Sequence, residues 1–564
     1  MGVRPLAVLV AVLGAAVLAV PAGASPVLVV DSGSVKRVDD PALPPPSASD
    51  PLPADARRCS SGQSGPPVAY AAVVSVRKAL RRAYASGAID FQAYSAYADV
   101  YSRAKHASRR VHGRSRAELG SVIASVNRLA ATGQLTASRL APVFLELQRN
   151  TEWWTRTSRA PAPSPAPGGP PRGSPCVSAA HIAAGPRVQF EGDPLTLQYY
   201  PGEGLRLQPL ANFGKANALY NACAGINTEP GVPCEPDALR ALLDRLVAMA
   251  ADRHGFLAWE YYFPIYGGRP PWVSGIAEGS ALSALAHGAQ LFQQQQQPPP
   301  PPQPQPAPPP SPTGGIAPPP PPPPSGRAAQ DQTQPPPNPP SFYLDAARKS
   351  LGIYQSPPPL GIRVSGRLGP HYVIYSFAPS ERVGNAFLES LIGLFDYGLV
   401  SGDRGALTLF NKGDREARYE LRKLDTGAWT LYQLHGQESD LNYQRVIRDF
   451  ARGLCTRTQI SFYCEAADRF TLYLKERPKV AVVGPKFARA RKPTRIAIRV
   501  SKISCLTVSI FKGKKVISQP TWYFPRGTHS FAWTFAKPGS YRVKILARDL
   551  MNHQVTVEAP IRVR

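Results

Sequence analysis

Acidic side chains are scarce in this chain of 564 residues: 38 Asp and Glu face 65 Lys and Arg, a formal charge of +27. After Val20 no run of about 18 apolar residues occurs, which excludes a later membrane-spanning helix. GxSxG, HExxH and CxxC are all absent, and with them the signatures of a nucleophile elbow, a zinc protease and a paired-cysteine site. The run FGKAN (213–217) lacks the spaced upstream glycine and the Ser/Thr of a phosphate-binding loop. Histidines do not cluster near the cysteines, so no metal site is expected. No nucleic-acid motif is present either, so no nucleic-acid partner is expected.

Proline, by contrast, is abundant: 64 residues, more than twice the usual share of about 5%. The length suggests about three or four domains, fewer once the proline-rich stretches are set aside. Residues 1–24 combine Arg4, an apolar run from Leu6 to Val20 and the small residues Ala22-Gly23-Ala24. They read as a secretory signal peptide, an uncleaved membrane anchor being the alternative, and place the protein outside the cell or on its surface. An exported chain oxidises its cysteines. Of the seven, Cys223 and Cys234 bracket a short loop, as do Cys455 and Cys464. Cys59 and Cys176 flank a helical segment and are candidates to staple its ends, which leaves Cys505 over.

Composition divides the rest. Residues 25–58 read as a disordered linker. Residues 59–160 read as a basic helical domain, in which Phe91, Tyr94, Tyr97, Val100 and Tyr101 form one stripe, expected in the core, and Gly133 is a stop. Residues 161–478 hold serial amphipathic helices, one starting at Pro236 and expected to run to Gly255, interrupted by a proline-rich insertion at 293–340. Residues 479–564 alternate Val, Ile, Phe and Thr between Gly and Pro turns, which predicts a small Ig-like β-sandwich, with 18 basic residues against two acidic ones. The two basic flanks carry nearly all the net charge. They suit an acidic polysaccharide, an anionic cell-wall polymer or a membrane surface.

Four central stretches are both polar and aromatic: Leu197–Leu219, Trp259–Leu285, Gly369–Tyr397, and DTGAWTLYQL with NYQ, ending at Gln444. Tyrosine and tryptophan at loop–helix junctions suit sugar rings, stacking through the ring and hydrogen bonding through the polar tip. Taken singly, each of these tyrosines also fits ordinary packing.

Together the blocks LQYYPGEGLRLQPLANFGKANAL, PWVSGIAEGSALSAL, VGNAFLESLIGLFDYG and DTGAWTLYQL resemble the C-terminal catalytic domain of D-glucuronyl C5-epimerases. The resemblance covers about residues 190–290 and 341–455, which makes the proline tract an insertion within one domain. It implies a mainly α chain whose central domain is an (α/α) toroid, and a cofactor-free isomerase that inverts C5 of hexuronic acid residues in a polymer. By motif position, Tyr375, Tyr432 and Tyr443 are the expected catalytic residues: Tyr375 and Tyr443 for proton transfer, Tyr432 for holding the carboxylate. Tyr199, Tyr200, Glu203, Asn217, Trp272, Glu278, Asn385, His435 and Arg445 are expected at the substrate. Ile374, His435, Gln444 and Ile447 stand where animal members of the family carry Glu, Arg, His and His. Arg382, Arg445 and Arg269 are the cations placed to substitute. The competing readings are an acidic-polysaccharide-binding protein on the same scaffold and a polysaccharide lyase.

Overall fold

The structure is a computed structural model that describes residues 25–31, 33–44, 74–157, 185–226, 231–296 and 336–564. The signal peptide and the Cys59–Cys176 pairing lie outside these residues. So does most of the proline tract.

Four helices open the described chain: α1 (Val76–Ala85), α2 (Phe91–Arg110), α3 (Gly113–Ala131) and α4 (Leu140–Arg156). Ser75 and Asp90 cap α1 and α2 by accepting the Lys78 and Ala93 amides, the usual way of satisfying first-turn N–H groups. After α3, Gly133 takes a left-handed backbone (φ +69°), so the expected stop is found. The stripe on α2 divides: Val100 and Tyr101 are buried, whereas Phe91 is exposed.

Strands β1 (Ser25–Val30), β2 (Val35–Asp40), β3 (Arg187–Phe190), β4 (Thr196–Tyr200) and β5 (Gly204–Leu207) form one sheet in the order β2-β1-β3-β4-β5. Residues 25–30 and 35–40 are therefore an antiparallel pair, not the spacer expected there. The pair is held because β1 runs parallel to β3 and buries Val27 and Val30.

This sheet binds the helical segment into the central region, from which it is not set apart. The Glu118 carboxylate accepts the Gly202 and Gly204 amides, each at 3.0 Å, and the Tyr199 hydroxyl at 2.6 Å. The Glu146 carboxylate accepts the Leu207 amide and pairs with Arg206 at 2.9 Å. Arg139 grips Glu260 with two bonds, 2.6 and 2.9 Å, and Glu260 also pairs with Arg253. Such buried pairs tolerate poorly the loss of one partner.

The central helices are α5 (Pro209–Ala224), α6 (Pro236–Ala248), α7 (Gly275–Gln296), α8 (Pro340–Ser350), α9 (Gly352–Gln355), α10 (Gly384–Ser401), α11 (Arg404–Leu424), α12 (Leu441–Thr458) and α13 (Ser461–Lys475). The helix starting at Pro236 ends at Ala248, before the expected Gly255, because Ala251–Asp252 (β6) pairs with Leu257–Ala258 (β7). A second short ladder joins β8 (Arg363–Ser365) to β9 (Pro370–Tyr372). Helix α7 runs four residues into the insertion.

Helices α5, α7, α10 and α12 pack in succession, and α6, α8, α11 and α13 lie against them as partners. The four inner helices run in one direction. Near their starts Leu210, Ile276, Ala386 and Tyr443 share one apolar cluster. Toward their ends the Tyr220 ring stacks on His287, His287 faces Asp396 at 3.6 Å, and Asp396 pairs with Arg457 at 2.6 Å. Helices α7 and α10 cross at glycine: a Cβ on Gly393 would lie 2.2 Å from the Gly279 carbonyl oxygen, and one on Gly279 2.5 Å from that of Glu389.

Strands β10 (Val480–Gly484), β11 (Phe487–Ala488), β12 (Pro493–Val500), β13 (Ser504–Lys512), β14 (Lys515–Ser518), β15 (Thr521–Phe524), β16 (Gly527–Thr534), β17 (Gly539–Asp549) and β18 (Gln554–Val563) close the chain. A three-stranded and a six-stranded sheet share one core of Ile496, Ile498, Leu506, Val508, Val543 and Ile545. Alternation buries every second residue of β12, as the sequence pattern requires. Disulfides join Cys223 to Cys234 and Cys455 to Cys464, both as expected. Cys505 is also disulfide-bonded, so it is not left over. Among the described residues no helix is long and apolar enough to cross a membrane.

Candidate active site

Three separate segments bring Tyr375, Tyr432 and Tyr443 into one apolar cluster. Tyr375 follows β9, and its backbone bridges that of Ser274 just before α7. Tyr432 lies after α11, where Gly384 at the start of α10 donates its amide to the Tyr432 carbonyl at 3.3 Å. Tyr443 sits in the first turn of α12, its amide bonded to the capping carboxylate of Asp440 at 2.9 Å. All three side chains are buried. The rings of Tyr432 and Tyr443 meet edge to face at 4.7 Å, and those of Trp272 and Tyr375 at 5.5 Å and 90°.

Trp272 forms a wall. Tyr261 covers one face of it, stacked at 4.1 Å, and its indole N–H donates to the Phe263 carbonyl at 2.8 Å. Tyr200 completes that side, with its ring 4.6 Å from Phe263. Behind Phe263 the buried Arg206 guanidinium lies 5.4 Å from the ring centroid, a cation–π contact backed by Glu146.

The remaining expected residues make contacts of their own. Tyr199 and Tyr200 are neighbours on β4, and successive strand residues point to opposite faces. Tyr199 therefore enters the core of the helical segment, where its ring meets Trp154 at 5.9 Å. Burial and the Glu118 carboxylate push its phenol up to about 12, so it holds its proton. Glu203 turns to Ser121 and Arg206. Asn217 donates to the Ser280 carbonyl between α5 and α7. Glu278 is buried on α7 and accepts the Trp259 amide at 2.9 Å; burial pushes its carboxyl up to about 8. The Asn385 carboxamide bonds the Ala386 amide. His435 is exposed on a left-handed backbone (φ 62°).

Three of the four positions that depart from the family's residues are structural. Ile374 and Ile447 are core. Gln444 accepts the Thr430 amide and hydroxyl, at 2.9 and 2.7 Å. Of the candidate substitute cations, Arg382 faces Glu420 at 3.4 Å and donates to the Ser365 carbonyl, and Arg445 reaches the Met551 sulfur at 3.8 Å. Arg269 is exposed. Sequence reasoning missed Arg206. Its signal lay in the LRL of the first block, but only the fold shows that it backs the aromatic wall.

One source of positive potential needs no side chain. Helices α5, α7, α10 and α12 all start at this cluster and turn the positive ends of their dipoles to it, while the Asp440 carboxylate that caps α12 offsets that end. Among the described residues no three His, Cys, Asp or Glu side chains converge as metal ligands.

Comparison with known proteins finds a match over part of the chain. Residues 340–472 match the sequence family described as D-glucuronyl C5-epimerase C-terminus. The segment holds all three tyrosines; the blocks at 197–219 and 259–285 precede it. No curated protein matches the chain. Solved structures similar to it include a superoxide reductase (neelaredoxin) from Ignicoccus hospitalis, 13% identical, covering 16% of this chain and 81% of that one, with a TM-score of 0.13. Another is the CARDB domain of a Pyrococcus furiosus protein in complex with di-metal ions, 18% identical, covering 16% and 90%, with a TM-score of 0.12. Over residues 340–472 the chain is therefore similar to the C-terminal domain of the D-glucuronyl C5-epimerase family.

Proposed function

We propose that the protein inverts C5 of hexuronic acid residues within an acidic polysaccharide, in the D-glucuronate to L-iduronate sense. The observation that carries this is the convergence of Tyr375, Tyr432 and Tyr443, from three segments, beside the Trp272 and Tyr200 wall. The C5 proton lies next to a carboxylate and is weakly acidic. One tyrosinate takes it from one ring face while the electron pair spreads into the carboxylate. A neutral tyrosine then returns a proton to the opposite face. Tyr375 and Tyr443 fill these roles, and Tyr432 hydrogen-bonds the carboxylate. Free tyrosine, near pKa 10, is a weak base at neutral pH. The starts of α5, α7 and α10 favour both the phenolate and the charge that grows on the carboxylate, and the Asp440 cap opposes it at α12.

The same reading treats the paired helices as an (α/α) toroid and the C-terminal sheets as an Ig-like sandwich. The basic flanks then hold the acidic polymer, at a cell wall or membrane surface or in the medium. The disulfides are compatible with a protein outside the cell.

A second reading, an acidic-polysaccharide-binding protein without turnover, is favoured by one observation. Arg382 and Arg445 are engaged elsewhere, and Gln444 is a structural residue. Incubation with polyglucuronate in deuterated water separates the readings. Deuterium at C5 without unsaturated ends supports the epimerase. Ultraviolet-absorbing unsaturated ends indicate a lyase, and binding with neither change indicates the second reading.

A further inference from the structure

We propose that the tip of the α1–α2 hairpin is a docking surface for an acidic polysaccharide, separate from the tyrosine cluster. Tyr84, Phe91 and Tyr94 meet there, with ring centroids 5.5 to 6.3 Å apart. Phe91 and Tyr84 are not core, 65% and 45% exposed, and half-buried Tyr94 anchors them to the helical segment. Large aromatics grouped at a surface mark a binding site more often than singly exposed ones do.

Charge selects the partner. Helix α1 reads VRKALRRAYA, with four basic residues and no acidic one. Arg77, Arg81 and Tyr84 fall at i, i+4 and i+7, so two guanidinium groups line up with the first ring on one face. The hairpin's own acids are occupied, Asp90 as the α2 cap and Asp99 beside Arg103 at 2.9 Å. Farther along α2 an open groove of about 740 Å³, lined by Arg103, His106, Arg110, Thr151 and Thr155, extends the basic surface. Aromatic faces take the apolar faces of sugar rings, and arginine takes carboxylates through paired N–H donors. A polymer of uronic acids offers both in repetition. This choice of ligand class rests on the proposed epimerase reading; the surface itself does not.

Retention of the full chain on immobilised polyglucuronate tests the proposal. The Tyr84→Ala/Phe91→Ala double variant, altered only at exposed positions, should keep the thermal midpoint of the parent and bind roughly tenfold more weakly. Arg77→Ser/Arg81→Ser should also bind more weakly and lose part of the salt dependence. C5 exchange on short fragments should be unchanged in both, with KM rising only for long polymer. Undiminished retention in both variants overturns the docking surface. Tighter binding of polyacrylate, a single-stranded oligonucleotide or anionic vesicles through the same residues overturns its assignment to polysaccharide. Tyr375→Phe should retain full binding while losing exchange, so a failure of the catalytic reading is seen separately.

Discussion

The rings of Tyr432 and Tyr443 meet edge to face with centroids 4.7 Å apart, although one side chain comes from a loop and the other from the first turn of α12. Two phenols at this distance can share one substrate carboxylate, or divide into a holder and a proton donor. Replacing either by Phe keeps the ring contact and removes only the hydroxyl.

Tyr375→Phe and Tyr443→Phe should each lower C5 exchange by about 10² to 10⁴, the usual worth of a positioned acid or base. Tyr432→Phe should mainly raise KM. Mass spectrometry of deuterium in the polymer measures all three, and circular dichroism checks that the fold is kept. Full exchange in Tyr443→Phe would remove it from the proton path.

The close crossing of α7 and α10 predicts a steric effect. Gly393→Ala sets a methyl against the Gly279 carbonyl, where backbone must move. The cost should be about 1–3 kcal/mol in urea unfolding, typical of overpacking. Because Ile276 on α7 and Ala386 on α10 both line the tyrosine cluster, exchange should fall as well. Gly120→Ala, inside α3 with open space around its Cβ position, is the control: it should gain about 0.5–1 kcal/mol and leave exchange unchanged.

Arg206 and Glu146 should behave as a unit. Arg206→Met leaves the Glu146 carboxylate buried without its cation and should cost about 3–5 kcal/mol. Adding Glu146→Leu should recover part of that loss, which a double-mutant cycle in denaturant would show. If the two losses simply add, the pair is not coupled.

Glu278 gives a pH signature. Its folded pKa, about 8, lies above the ordinary 4.5 because burial disfavours the charge. Below pH 4.5 both states are protonated and the residue costs nothing. As pH rises from there to about 8, the unfolded chain gives up the proton before the folded one, so stability falls and then levels. Glu278→Gln should become progressively more stable than the parent across that window, by on the order of a few kcal/mol at its top. Thermal midpoints at several pH values would reveal it; a constant offset would contradict it.

The helix series, the two-sheet C-terminal unit and two disulfides were legible because each rests on local pattern: apolar period, alternation and short cysteine loops. The tyrosine cluster was legible only through motif order, since nothing local marks Tyr375. What escaped depends on which way a side chain faces. Tyr199 and Tyr200 look equivalent in LQYY, yet one strand position turns Tyr199 into the helical segment. Glu278 reads as a polar residue beside a cleft, but its place on α7 turns it into the core. The β1–β2 pair was hidden because its partner, β3, lies about 150 residues away in sequence, beyond the reach of composition.

The shared direction of the inner helices also fixes where the chain tolerates change. Helix α7 starts at the tyrosines and ends at Gln296, about 30 Å away at 1.5 Å per residue. Helix α8 begins at Pro340, where Tyr343 packs on Phe292 near the end of α7. The ends of the insertion at Gln296 and Pro340 thus lie at the far end of α7 from the tyrosines. A fluorescent or affinity module spliced in after Gln296 should leave C5 exchange unchanged.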